Sequence, residues 1–494
     1  MSHAELLQAL ERLGHPRVLV VGDLILDRYT WGNAERVSQE APVILLRADT
    51  REARLGGAAN VCRMLRGLQA DVACAGVLGA DDAGTELRDL LADAGIDDAD
   101  VLVDASRPTT VKERFIGRAA NRHPHQILRV DREVRDPLGD QLQAHLLGRI
   151  TARLDDVHIV LVSDYDKGVC TPQLLQRIIA EARRRGLQVV VDPIRGHDYS
   201  RYRGATTMTP NRTEAEMATG IRIASAEDAF RAGRLLCQQL EMPFAIITLD
   251  KDGMALVPAQ GPGELFSTRP RAVYDITGAG DVVLATIGLG LAAGVSLPDT
   301  IRLANVAGGL EVEQVGVVPI TREEIRVDIL RHGGDATAAK IVTLDDAARI
   351  AQACRARGQR VVFTNGCFDL LHVGHVTYLA EAAAQGDVLF LGLNSDASVR
   401  ALKGPSRPVC KQAERAAVLA ALTYVDYVVI FDELTPIELI RRIRPDVLVK
   451  GGDYRHKMHE ITGRELVESY GGRVHLAALV EGVSTTQIIR SVAA

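Results

Sequence analysis

The residues best suited to chemistry in this 494-residue chain fall in two stretches far apart in sequence. At Asp275–Asp281 the sequence reads DITGAGD. Gly278, Ala279 and Gly280 are small enough for a tight turn whose backbone N–H groups converge on an anion, and a helix starting there adds its positive end. Asp281, directly behind that nest, is placed to take a proton from a hydroxyl attacking phosphorus. The competing reading is a glycine-rich helix start with Asp281 as a first-turn acid. Further on, GCFDLLHVGH at Gly366–His375 sets His372 and His375 at i and i+3. On a helix start both imidazoles share one face and Gly374 admits a phosphate, so the pair can stabilise a pentacoordinate phosphorus without a covalent nucleophile. Cys367 with the two histidines also supplies three candidate zinc ligands, although no fourth Cys or His stands nearby at ligand spacing.

Other polar groups accompany the first stretch. Gly56–Asn60, GGAAN, offers a second backbone nest, with the Asn60 side chain able to bind sugar hydroxyls. Asp23 and Asp27 follow the first strand and supply carboxylates for the same hydroxyls. Pro210–Glu214, PNRTE, has the NxxE spacing that suits a hydrated Mg²⁺ beside phosphates.

The elements that must position these groups show as apolar runs. Arg17–Asp23, Val157–Asp164, Gln188–Pro193 and Phe244–Asp250 are continuous rather than alternating in apolar character, as in parallel strands covered on both faces. Pro172–Arg185 has helical spacing and closes on Gly186. Ligands in such sheets bind beyond the carboxyl ends of the strands, where Asp23, Asp164, Asp192 and Asp250 are expected to form a polar rim. A second series starts near residue 360 with Arg360–Asn365, Asp387–Asp396, Asp426–Asp432, Asp446–Asp453 and Arg473–Leu479, accompanied by helical segments Leu344–Arg357 and Gln412–Leu422. Between the series, Arg331–Lys340 has no apolar period. The chain thus reads as two α/β domains, 1–325 and 342–494, with a linker over 326–341, in keeping with its length.

Composition narrows the partners. Hydrophobic residues at 47% and charged residues at 25% exclude disorder for most of the chain. A net charge of −6 without a Lys/Arg block argues against nucleic acid or an anionic membrane surface. The least interrupted apolar stretch, Val282–Ala293, is too short to cross a bilayer, and the N-terminus lacks the apolar middle of a signal peptide. Seven scattered cysteines read as free thiols, so a cytoplasmic protein is expected.

In order and spacing, GGAAN, PNRTE and GAGD resemble the ribokinase-like (PfkB) family of sugar kinases over about residues 15–320. The resemblance implies a ribokinase-like domain with Asp281 as base, Gly278, Ala279 and Gly280 as anion hole, and Asp27, Gly57 and Asn60 facing the sugar. It further implies Mg²⁺ held by Asn211 and Glu214 through water, nucleotide contacts from Asn211, Glu214, Thr248, Gly253 and Asn305, and a monovalent cation near Asp275. The chain departs from the family in lacking a Gly after Leu249, in having Ile276 for Thr or Val, and in Arg195 for a Lys near the phosphates, where the two cations are not equivalent.

The strand RVVFTN followed by HVGH resembles the HxGH nucleotidylyltransferase superfamily, which implies a smaller Rossmann-like second domain. The superfamily's second motif reads here as VSTTQIIR from Val483 to Arg490, where Ser484, Thr485 and Thr486 would hydrogen-bond phosphates at a helix start. Asn394, Lys403 and Lys450 would border the nucleotide, and Mg²⁺ would bridge the triphosphate, although Lys450 also reads as a simple strand end. HxGH alone does not choose between ATP and CTP. Across GDLILDRY, LGGAANV, SDYDKG, DITGAGD, TNGCFDLLHVGH, NSDASVRALKG and VKGGDY, nearly the whole chain resembles the bifunctional heptose kinase–adenylyltransferases of bacterial lipopolysaccharide synthesis. That resemblance implies phosphorylation of D-glycero-β-D-manno-heptose 7-phosphate at C1 by ATP. It then implies removal of the 7-phosphate by a separate phosphatase and AMP transfer from ATP to heptose 1-phosphate, giving ADP-heptose. A homo-oligomer joined through its kinase domains is also implied. The same chemistry on another sugar, or a degraded sugar-binding regulator, are the alternatives; intact Asp281, His372 and His375 speak against the last.

Overall fold

The computed structural model describes residues 3–118, 125–196, 198–269, 271, 273, 277–314, 316–332, 337, 340–356, 358–454 and 457–478. The chain divides into two compact units, Met1–Arg326 and Val327–Ala494.

In the first unit six parallel strands lie in the order Thr207–Met208, Gln188–Asp192, Ile159–Ser163, Arg17–Gly22, Asp71–Gly79 and Asp97–Asp104. Ile159–Ser163 is buried throughout and Arg17–Gly22 beyond its first residue, as continuous apolar runs require. The helix Pro172–Arg184 starts at Thr171, whose hydroxyl accepts from the Leu174 N–H, and buries Leu174, Leu175, Ile178, Ile179 and Ala182 in the core on the sheet. Arg17–Gly22 has Asp71–Gly79 on one side and the later strand Ile159–Ser163 on the other, so the connections diverge there and open a crevice at the carboxyl ends.

The run Phe244–Asp250 departs from expectation. Phe244–Thr248 pairs antiparallel with Met254–Pro258, which pairs with Glu264–Phe266, in a separate three-stranded sheet. Gly253 permits the reversal, with φ at +100° and room for no side chain: a Cβ there would lie 2.0 Å from the Phe266 carbonyl oxygen. A short apolar run does not distinguish a parallel strand from one arm of a hairpin. Asp250 therefore leaves the expected rim, exposed and paired with Arg212 at 3.2 Å.

A four-stranded sheet has no counterpart in the apolar pattern. Its order is Ile44–Gly57, Leu24–Val37, Thr110–Arg118 and His125–Arg132, with only the middle pair parallel. Ile44–Gly57 is largely exposed until its last three residues and is rich in charge, so it forms no apolar run. The sheet begins directly after Asp23, and Gly57 leads from it into the helix Ala58–Gly67.

In the second unit five parallel strands run in the order Tyr427–Phe431, Val388–Asn394, Val361–Gly366, Val447–Gly451 and Arg473–Ala477. The helix Arg322–His332 occupies the first part of the segment read as linker. Thr321 and Glu324 form a capping box at its start, and Ile325 and Ile329 are buried one turn apart, a helix signal that the polar composition of 326–341 masked. Val327 from this helix packs on the core of the second unit. All seven cysteines are free, and among the described residues no helix is long and apolar enough to cross a membrane.

Candidate active sites

The helix Ala279–Ala292 begins after Gly278, which takes φ +92°, and no side chain caps it. Its first N–H groups lack intrahelical partners and suit an anion. Asp281, in its first turn, is only 5% exposed. Its Oδ2 accepts from Asn60 Nδ2 at 2.6 Å and its Oδ1 from the Tyr165 hydroxyl at 3.0 Å. Burial pushes the Asp281 pKa up to about 6, against the pull of Asn60, Tyr165 and Lys112. The carboxyl is thus ionised at neutral pH yet basic enough to receive a proton.

Asn60, expected at the sugar, donates to Asp281 through Nδ2, while its Oδ1 is buried without a protein partner and is left as an acceptor. Gly57 turns the chain into the Asn60 helix at φ +57°. Asp27 pairs with Arg114 at 2.6 Å, and a Cβ on Gly56 would lie 2.4 Å from Asp27 Oδ2. Asp23 does not present its carboxylate to a sugar: it accepts from the backbone N–H groups of Tyr165, Lys167 and Val169 at 2.8, 3.1 and 3.1 Å. Asp164 accepts from the Tyr202 hydroxyl at 2.7 Å, and burial beside Asp23 pushes its pKa to about 6. Two of the expected rim aspartates therefore build the loop rather than line the crevice.

Asn211 and Glu214 form the capping box of the helix Arg212–Thr219, the Glu214 N–H donating to Asn211 Oδ1 at 3.0 Å and the Asn211 N–H to Glu214 Oε2 at 2.8 Å. Burial raises the Glu214 pKa, and the Arg195 cation opposes the rise. Burial and the charges of Asp281 and Glu214 hold Asp192 far above the usual carboxylate range. Carboxyl groups whose charged forms are disfavoured by burial and by one another fit a hard divalent cation, which would offset both. Thr248 joins this region, its N–H donating to the Pro210 carbonyl at 3.0 Å. Gly253 closes the same hairpin, and Asn305 Nδ2 donates to the Phe266 carbonyl at 2.8 Å, so the three surround the small antiparallel sheet. Asp275 lies outside the described residues. Tyr165 and Lys112 were not singled out in the sequence, although Tyr165 stands in the SDYDKG stretch that carries part of the resemblance.

In the second unit His372 is the N-cap of the helix Val373–Ala383 and His375 lies in its first turn. Their rings stack with centroids 3.8 Å apart, and neither buried Nδ1 has a hydrogen-bond partner. Burial, with the His372 and Lys403 charges, pushes the His375 pKa down to about 4, and burial lowers that of His372. A neutral imidazole offers an anion one N–H donor and no charge. Lys403 ends the helix Asp396–Lys403, and Lys450 is buried and donates to Asn365 Oδ1. Asn394 Nδ2 donates to Ser398 Oγ at 2.9 Å, and Cys367 Sγ lies 3.8 Å from Asn394 Oδ1. Among the described residues Cys367, His372 and His375 do not bring ligand atoms together; only Asp23, Asp164 and Cys170 do so. Arg415, which the sequence did not single out, donates to the Cys367 carbonyl at 2.6 Å and the Asn394 carbonyl at 2.8 Å, pinning two loops together. Ser484, Thr485 and Thr486 lie outside the described residues.

Residues 15–323 match the model of the pfkB family of carbohydrate kinases, and residues 363–491 match that of cytidylyltransferase-like domains. The bifunctional protein HldE of Geobacter sulfurreducens is 50% identical over 481 residues, covering 97% of this chain and 96% of the relative. That of Geobacter metallireducens is 49% identical over 471 residues, covering 95% and 94%. Arabidopsis thaliana ribokinase, complexed with ribose and ATP, superposes with a TM-score of 0.51 at 20% identity, covering 64% of this chain and 99% of its own. Escherichia coli phosphofructokinase-2 in complex with substrates and products gives 0.52 at 18%, covering 64% and 98%. At such identities these two structures show a shared fold.

Proposed function

The chain belongs to the pfkB family of carbohydrate kinases and, along its length, to the family of bifunctional HldE proteins, and from that premise we propose a two-step sugar activation for lipopolysaccharide core synthesis. The first unit phosphorylates D-glycero-β-D-manno-heptose 7-phosphate at C1 with ATP. A separate phosphatase removes the 7-phosphate, and the second unit transfers AMP from ATP to heptose 1-phosphate, releasing pyrophosphate and ADP-heptose. The observation that carries the kinase reading is the buried Asp281 carboxylate standing directly behind an uncapped helix start.

Asp281 takes the proton of the C1 hydroxyl as its oxygen attacks the γ-phosphorus of ATP. The N–H groups at Gly278, Ala279 and Gly280 receive the charge of the moving phosphoryl group. Asp27, the Gly57 backbone and Asn60 Oδ1 hold sugar hydroxyls; Thr248, Gly253 and Asn305 border the nucleotide, and Arg195 adds a cation. Asn211 and Glu214 are the residues that would hold Mg²⁺ through water, and Mg²⁺ supplies neutralisation of phosphate charge when bound. A monovalent cation is assigned near Asp275. In the second unit a sugar-phosphate oxygen attacks the α-phosphorus while His372 and His375 donate to its oxygens. Asn394, Lys403, Lys450, Ser484, Thr485 and Thr486 complete that nucleotide site.

The assembly is assigned as a homo-oligomer through kinase units, supported by the exposed Val37, Ile44, Leu45, Leu128 and Val130 on the four-stranded sheet. A cytoplasmic setting is supported by the free thiols. The test is mass spectrometry of products from the full chain with heptose 7-phosphate, a bisphosphate phosphatase and each nucleoside triphosphate in turn. ADP-heptose from ATP is expected; a CDP-sugar, or no nucleotide sugar, overturns the reading.

A further inference from the structure

One group against Asp281 has no part in the mechanism above. Tyr165 sits on the loop after Ile159–Ser163, and Asp23, at the end of the central strand, accepts from its backbone N–H at 2.8 Å and from two more N–H groups of the same loop. The loop is therefore fixed from below by a buried carboxylate. From that base the Tyr165 hydroxyl reaches Asp281 Oδ1 at 3.0 Å, opposite the Asn60 donor on Oδ2. The Lys112 ammonium, on the strand Thr110–Arg118, lies 5.0 Å from the centre of the phenol ring, a cation–π contact that restrains the ring.

We propose that Tyr165, steadied by Lys112, is a positioning residue of the kinase reaction, holding the Asp281 carboxylate by Oδ1 so that its free lone pairs meet the sugar hydroxyl. The inference rests on the reading of Asp281 as the base. A carboxyl held at one oxygen alone can rotate and present the wrong one, whereas donors on both oxygens fix its plane. The same bonds favour the ionised form, which alone can accept a proton. Burial, Asp27 and the neighbouring Asp192 press Asp281 toward protonation, and Asn60, Tyr165 and Lys112 oppose them. Burial and the nearby carboxylates keep the phenol itself protonated, so it remains a donor at every working pH.

Tyr165→Phe keeps the ring, the Lys112 contact and the backbone bonds and removes only the hydroxyl. It should be made in the full chain beside Lys112→Met, with heptose 7-phosphate and ATP as substrates and adenylyl transfer by the same preparation as the folding control. Tyr165→Phe is expected to lower kcat about 10-fold with little change in KM for the sugar. It should also move the acid limb of kcat/KM up by about 1 pH unit, the size set by one hydrogen bond to a charged group. Lys112→Met should move the limb the same way by less. Ionisation of the sugar phosphate is common to all variants and produces no difference between them. An unmoved acid limb in Tyr165→Phe, or a loss carried by KM alone, overturns the proposal. If Tyr165→Phe also loses adenylyl transfer, Lys112→Met decides, and an unmoved limb there overturns it. Full kinase activity in Asp281→Asn would instead overturn the reading of the base.

Discussion

Asp281→Asn separates what this residue does for catalysis from what it costs the fold. The carboxyl rises from 3.8 to about 6 on burial, so the native state binds its proton more tightly than the unfolded chain does. The stability linked to that proton is fully present below the unfolded value and is lost as pH rises through the folded one. Above about pH 6 the native chain carries the whole burden of a buried charge. At about 1.36 kcal/mol per pH unit, a shift of roughly two units corresponds to about 3 kcal/mol. Asparagine has no charge to bury, and its amide can be accommodated: Asn60 has an unpartnered Oδ1, so turning its own amide over lets it accept from the new N–H. The substitution should therefore raise the melting temperature of the first unit at pH 8 by about 4 °C, given about 2.1 cal/mol/K per residue of unfolding entropy. That gain should fade by pH 4. C1 phosphorylation should fall by about 10²-fold or more in kcat, with sugar binding retained, because the turned Asn60 amide offers its N–H to the hydroxyl that its Oδ1 had faced. Scanning calorimetry of both proteins at pH 4, 6 and 8, together with single-turnover kinetics, tests both halves. A pH-independent difference in melting, or a loss of stability at pH 8, refutes the burial argument, and an unchanged kcat refutes Asp281 as the base.

The remaining expectations concern the second unit and the metal. His372→Ala and His375→Ala should each slow adenylyl transfer by about 10²-fold or more, the usual effect of losing a donor to developing charge, while the kinase rate stays near wild type; parallel assays of both half-reactions decide. Both activities should need Mg²⁺ and survive a zinc-selective chelator in excess Mg²⁺, and inhibition by the chelator would reopen the role of Cys367. A fragment beginning at Val327 should fold and make ADP-heptose from heptose 1-phosphate and ATP, whereas one beginning near Lys340 should melt lower for want of Val327 in its core; an inactive longer fragment would show that the first unit completes the second.

Parallel strands were legible where burial on both faces leaves an uninterrupted apolar run, as in Ile159–Ser163 and Val388–Asn394, whereas Asp71–Gly79, Asp97–Asp104 and Thr207–Met208 of the same sheet type went unread. Phe244–Thr248 has the same run but lies in a hairpin, and only the geometry at Gly253 reveals the reversal. The four-stranded sheet was illegible for the opposite reason: its outer strands are exposed along most of their length, and register shifts, as between Trp31 and Gly32, interrupt what period remains. At the site, the motifs identified which residues gather but not how they divide the hydrogen bonds. Asn60 and Asp23 have the residue types for sugar binding, yet their partners lie far along the chain at Asp281 and at the Tyr165–Val169 loop. Asn211 and Glu214, picked out for their NxxE spacing, are the two members of a helix capping box, a role that the same spacing also signals.

The bond from Asn60 to Asp281 joins residues 221 positions apart. On a ribosome adding about 5–20 residues per second, Asn60 emerges roughly 10–45 s before its partner. Throughout that interval the helix Ala58–Gly67 displays an amide without its carboxylate partner, while the remaining strands of the six-stranded sheet are made one after another, the last at Thr207–Met208. The crevice is thus among the last parts of this unit to mature during translation. A message broken shortly before codon 281 yields a nascent chain that has these strands but not the helix Ala279–Ala292 that packs on Leu161, so an apolar face of the sheet stays bare, the kind of product that chaperones retain and proteases clear.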